Sequence, residues 1–146
     1  MKTSRIKDLN IDTSMLRFEV TESAYTDLET QATDYLRKMK DQGIKILLDD
    51  YGSGMSSLSM LETFDFDIIK LDIGFIRRIG VSDKVESIIA STINLAHLIG
   101  AKVTAEGVET EKQLSFLRSV DCDYIQGYYF YKPLSEEEFE RVLEGQ

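Results

Sequence analysis

Asp49 and Asp50 stand side by side at the end of the apolar run "IKILLDD", immediately before Tyr51 and the side-chain-poor Gly52-Ser53-Gly54. Other polar groups close similar runs: Glu19 and Glu22, Lys70 and Asp72, Glu106 and Glu109, and Gln126. The leading groups of successive runs are between 20 and 36 residues apart, about one βα unit each. In parallel α/β architectures the C-terminal strand ends form one rim where functional groups collect. Carboxylates gathered there repel one another unless cations lie between them. A paired Asp would let one turn serve two divalent ions, which roughly 3.5–4 Å apart clamp a phosphodiester and activate water for in-line attack. Strand alternation is expected to send the Asp49 and Asp50 side chains different ways, and the Gly-Ser-Gly loop could approach a phosphate.

Each group also has an ordinary reading. A single acid serves as a solvated loop residue or a helix cap, Lys70 and Asp72 two apart on one strand as an ion pair, and Gln126 as a partner for a buried backbone group. His97, between Leu95 and Leu98, reads as packing. Tyr128, Tyr129, Phe130 and Tyr131 read as core and rim filler, with one ring able to stack on a base. Recurrence of such groups at five run ends favours the shared rim.

Elements that could build this rim are visible along the chain. Strand-like runs lie at 16–20, 44–49, 66–72, 101–107 and 123–130, with little alternation, as for a parallel sheet covered on both faces. Helical spacing of apolar residues marks 27–40 and 83–99, with Gly43 and Gly100 as stops. Capping-box patterns open helices at Thr110 and at Ser135. The β-α alternation predicts an α/β fold with a parallel sheet and right-handed crossovers, either a doubly wound open sheet or part of a (β/α)8 barrel. With 146 residues and no linker or repeat, 1–146 reads as a single domain.

Composition narrows the chemistry. A formal net charge of -9 argues against gripping DNA or RNA polymers, or anionic lipid, through a basic face. One Cys and one His make zinc a poor fit, so a metal here would be a hard one held by oxygen. No apolar run approaches the roughly 20 residues of a membrane span, and the polar start is no signal peptide; a cytoplasmic location is expected.

The segments "LRFEVTES", "GIKILLDDYGSGMSSLSML", "IIKLDIGFI", "VTAEGVETEKQL" and "CDYIQGYYFYKPL" resemble, in order and spacing, the second part of the EAL domain, a bacterial phosphodiesterase family that hydrolyses cyclic di-GMP. The resemblance runs from Ile11 to the C-terminus. It implies a TIM-type barrel, of which this chain would be the C-terminal part with about five strands, Mg²⁺ or Mn²⁺ as cofactor, and linear pGpG as product. Glu19, Asp49 and Asp50 then resemble metal ligands, and Lys70 the lysine that touches the catalytic water or the phosphate. Glu106 is similar to the acid beside the metals, a base or ligand, and Gln126 to the amide that positions the water. Glu22 and Glu109 resemble the acids that hold the loop after Asp50, and Asp72 has a supporting place.

Three departures stand out. The usual DDFGTGYSSL reads DDYGSGMSSL, the Glu-Ala-Leu tripeptide is absent, and so is the following strand with its metal-binding asparagine. A complete barrel runs to roughly 250 residues. A partial barrel exposes strand edges and interior, so a homo-oligomer, a dimer, is expected, with weak or no turnover by this chain alone. The resemblance also suggests upstream sensory or cyclase domains in a parent protein. Two other readings stand beside the phosphodiesterase: a non-catalytic module binding cyclic di-GMP or a protein, and an unrelated metal-dependent barrel enzyme.

Overall fold

The computed structural model describes residues 11–21, 24, 30–52 and 57–145. Five strands, β1 (Arg17–Thr21), β2 (Lys45–Tyr51), β3 (Ile68–Leu71), β4 (Lys102–Glu106) and β5 (Tyr124–Gln126), form one all-parallel sheet in the unbroken order β1-β2-β3-β4-β5. Helices alternate with them: α1 (Thr30–Lys40), α2 (Ser57–Thr63), the one-turn α3 (Ile73–Ile76), α4 (Asp83–Leu98), α5 (Glu111–Ser119) and α6 (Glu136–Glu144). A doubly wound sheet reverses its strand order at a switch point; this one never does. Sequential parallel order is the arc of a (β/α) barrel.

Register sorts the strand residues into two faces. Phe18, Val20, Ile46, Leu48, Ile69, Leu71, Val103 and Ala105 face outward and join the core that α1 to α5 cover. The opposite face carries Leu47 and Ile68, also buried, with Arg17, Lys45 and Lys102 toward the strand starts. Curvature is visible across this inner face, because the Arg17 guanidinium on β1 lies 5.9 Å from the ring centroid of Tyr124 on β5. In a flat sheet those strands would stand about 19 Å apart, four spacings of about 4.8 Å. In an eight-stranded barrel the first and fifth of consecutive strands face each other across the interior. The chain therefore forms half of such a barrel's circumference.

Two aspartates lock the register at the strand starts. Asp67, one residue before β3, accepts from the Ile46 N–H at 2.9 Å, and its own N–H donates to the Ile46 carbonyl at 2.9 Å. Asp123, one residue before β5, accepts from the Val103 N–H at 2.9 Å and pairs with His97 Nε2 at 2.8 Å. His97 is thus more than a third exposed and hydrogen-bonded to Asp123 rather than simple packing.

Three strands begin or end two or more residues from where the sequence reading put them, and of these β2 runs on to Tyr51 instead of stopping at 49. Phe66 is buried but lies in the turn before β3, packed on Phe64 with centroids 4.9 Å apart. Strand β5 stops at Gln126 because the chain turns against the loop after β4: Tyr129 N–H donates to the Val108 carbonyl at 2.9 Å, and a Cβ at Gly127 would collide with the Val108 backbone. The aromatic run after it is exposed, with Tyr128 at 58% and Tyr131 at 55%, so these rings are not core. Both capping boxes form, at Thr110 with Gln113 and at Ser135 with Glu138, and Gly100 takes φ +81 past the end of α4. Among the described residues no helix is long and apolar enough to cross a membrane.

Candidate functional site

The rim expected at the strand ends is built around Lys70. Its ammonium lies 2.8 Å from Glu106 on β4, 2.9 Å from Asp49 on β2 and 3.0 Å from Glu19 on β1, with only 9% of the side chain exposed. Burial alone would lower its pKa, but the hydrogen bonds it donates to Glu106, Asp49 and Glu19 win and raise it above the usual lysine value. Lys70 is therefore held charged, as the internal counter-ion of three carboxylates. Its partners are these acids; Asp72, the neighbour weighed as its ion-pair partner, instead caps α3 by accepting from the Gly74 N–H at 2.7 Å.

Asp49 and Asp50 reach the same volume, contrary to simple alternation. Leu48 pairs with Ile69 and Tyr51 with Leu71, so both aspartates oppose Lys70 alone. This is a β-bulge, and Asp50 sits in it at φ +56, donating its N–H to Asp49 Oδ1 at 3.0 Å. The extra residue moves Tyr51 into the outward core position that residue 50 would otherwise fill; it is 8% exposed. Carboxylate oxygens of Asp49, Asp50 and Glu106 consequently lie within 4.8 Å of one another. Burial, followed by the charges of Asp49 and Asp72, raises the Asp50 pKa, with Lys70 opposing. Such an all-oxygen, acid-rich cluster suits a hard divalent cation.

The remaining residues divide. Gln126 pairs with Glu106 in the β4–β5 register and so shares its face, lining a cleft of about 420 Å³ with Glu109, Arg77, Tyr128 and Tyr131. Glu109 lies 3.8 Å from Arg77 and donates its N–H to Gln113 Oε1 at 2.8 Å. Glu22 and the Ser53-Gly54 part of the loop lie outside the described residues.

Sequence reasoning missed the supports of the rim. Gln113 was visible as a capping residue, yet it is also 7% exposed and donates from Nε2 to the Ile76 carbonyl of α3 at 3.2 Å. Ile73 and Phe75 carried no signal beyond being apolar; each packs on a glycine of a neighbouring rim loop, Gly107 and Gly52 respectively.

A half-barrel of parallel strands whose C-terminal rim gathers carboxylates around a buried lysine defines a (β/α)-barrel module with an acidic rim. The model of the EAL domain matches residues 2–133, and the chain belongs to that family. It is 38% identical to the cyclic di-GMP phosphodiesterase NbdA of Pseudomonas aeruginosa over 128 residues, 88% of this chain and 16% of NbdA. The solved EAL enzyme Bd1971 in its cAMP and cyclic-di-GMP bound form superposes with TM-score 0.91 at 28% identity, over 96% of this chain and 37% of that one. Klebsiella pneumoniae BlrP1, solved as a manganese/cy-diGMP complex, superposes with TM-score 0.83 at 32% identity, over 89% of this chain and 33% of that one. The chain thus spans about one sixth of NbdA and about one third of each structure.

Proposed function

We propose that this chain, as the C-terminal part of an EAL-type barrel, carries the cation- and phosphate-handling rim of a cyclic di-GMP phosphodiesterase. The reaction is hydrolysis of one phosphodiester bond to linear pGpG. The observation that carries this reading is the Lys70 ammonium within 3.0 Å of Glu19, Asp49 and Glu106, beside the Asp49, Asp50 and Glu106 oxygen cluster.

Glu19, Asp49 and Asp50 would hold Mg²⁺ or Mn²⁺, which when bound polarises a phosphoryl oxygen and lowers the pKa of water. Glu106 stands where it can accept the proton of the attacking water, and Gln126 beside it can orient that water. Lys70, fixed in the charged state, supplies a donor to the phosphate or to the attacking oxygen. As the new P–O bond forms, the P–O bond to the ribose 3′-oxygen breaks and that oxygen takes up a proton. Glu109, with Glu22, is assigned to holding the loop after Asp50. Asp72 supports the site as the cap of α3.

The Glu-Ala-Leu motif and the asparagine strand are not in this sequence, so we infer weak or no turnover by the chain alone. We also infer a cytoplasmic homodimer, with sensory or cyclase domains upstream in a parent protein. Incubating a parent protein that contains the complete barrel with cyclic di-GMP and Mn²⁺ and resolving the nucleotides by chromatography tests the catalytic reading. Formation of pGpG that Asp49→Ala abolishes supports phosphodiester hydrolysis on this rim. Binding of cyclic di-GMP without turnover, in a parent containing the complete barrel, would instead make the module a receptor.

A further inference from the structure

We propose that α3 is a staple across the rim, with Ile73 and Phe75 as positioning residues that hold the Asp49–Asp50 turn in place relative to Glu106. The proposal rests on the cation-binding reading given above. Helix α3 starts directly after the strand that carries Lys70, and two of its three apolar side chains, Ile73 and Phe75, reach different neighbouring loops. The Phe75 ring occupies the space where a Cβ at Gly52 would stand, two residues after Asp50. Ile73 fills the corresponding space at Gly107, the residue after Glu106. Both glycines adopt positive φ, +97 and +74, so each loop turns sharply beneath the side chain that covers it.

The staple is itself anchored. Asp72 caps its start, while at its other end the fully buried Ile76 offers its carbonyl to Gln113 Nε2. Gln113 Oε1 in turn accepts from the Glu109 and Thr110 N–H groups at 2.8 and 3.0 Å. One rigid piece therefore touches the loops that directly follow the ends of β2 and β4, the strand ends that bear the acids whose oxygens cluster within 4.8 Å. Cation coordination is sensitive to displacements well under an ångström, so contacts that never reach the ion can still set its affinity.

The test is a Mn²⁺ titration of the full chain, reading unbound Mn²⁺ by electron paramagnetic resonance, with a thermal melt of each variant. Phe75→Ala and Ile73→Ala are expected to weaken Mn²⁺ binding about ten-fold, the low end for residues supporting a metal site, while Ile73→Val stays within about two-fold of the parent. Leu117→Ala, buried in α5 away from the rim, gives a stability loss with unchanged affinity. Unchanged binding in Phe75→Ala and Ile73→Ala, or an equal loss in Leu117→Ala, overturns the proposal. If the parent chain binds no Mn²⁺, the cation reading fails, and hydrogen exchange in the chelator-treated chain decides the staple separately. There, Phe75→Ala must speed exchange across the rim at 106–109, and Ile73→Ala at 50–52. Acceleration confined to each side chain's own neighbour overturns it.

Discussion

At Asp50 the proposed cation-binding role stands against stability. A non-glycine residue at φ +56 carries a steric cost that Asp and Asn tolerate better than most. Its carboxylate is further disfavoured by burial and by Asp49 and Asp72. A carboxyl whose folded pKa is raised binds its proton more tightly in the native state, so stability falls as pH rises through that range. Asp50→Asn keeps the tolerated backbone and removes the charge. It should raise the melting temperature at pH 7, show a smaller gain below the ordinary Asp pKa of about 3.9, and weaken Mn²⁺ binding in the same titration. Lys70→Met should do the opposite to stability, costing about 2–3 kcal/mol in denaturant unfolding at pH 7. That is below the usual range for a broken buried pair because Glu19 is half-exposed. The acids and Lys70 were legible from residue type and spacing. The bulge that unites Asp49 and Asp50 was not, since alternation assumes an unbroken ladder. Its trace is Tyr51, which continues the outward series Ile46 and Leu48 one place late.

At the scale of elements, periodicity found all five strands but lengthened three of them, β3 and β5 most. Buried apolar residues such as Phe66 look alike in a strand and in a covered turn, and nothing local marks Gly127 as packed against backbone. What sets the ends is tertiary, and the two register aspartates are its clearest expression. Asp123 is held below the usual carboxylate range: burial opposes this, but the hydrogen bonds from His97 and the Val103 N–H prevail. A depressed carboxyl contributes stability above its unfolded pKa that is lost as pH falls through the folded value. Asp123→Ala strands the Val103 donor and should cost about 1–3 kcal/mol near neutral pH. In unfolding curves taken at successive pH values, its difference from the parent should shrink below about pH 4. A difference that stays constant into acid would remove the ionised carboxylate from the explanation.

For the whole molecule, barrel membership was legible only through the resemblance, because a βα pattern alone fits both open and closed sheets. The unbroken strand order and the Arg17 to Tyr124 contact decide it physically. The same geometry leaves apolar surface at one end, where Tyr131, Leu134, Phe139 and Leu143 are each more than a third exposed around α6. In a barrel, the helix after a strand packs over the seam with the next strand, so this face of α6 is shaped for a neighbouring β-α unit. On β1 a groove of about 330 Å³ lined by Phe18, Val20, Tyr35 and Leu36 offers a matching apolar surface. If a second copy of the chain covers these surfaces, light scattering should give a dimer mass at high concentration. Because Phe139 and Leu143 are exposed on a terminal helix, Phe139→Glu with Leu143→Glu should leave the circular dichroism and melting of the monomeric unit intact while shifting the mass to a monomer. A parent chain that stays monomeric at every concentration would mean that self-association does not cover these surfaces. A dimer indifferent to the double substitution would move the contact elsewhere, leaving the α6 face for a different neighbour.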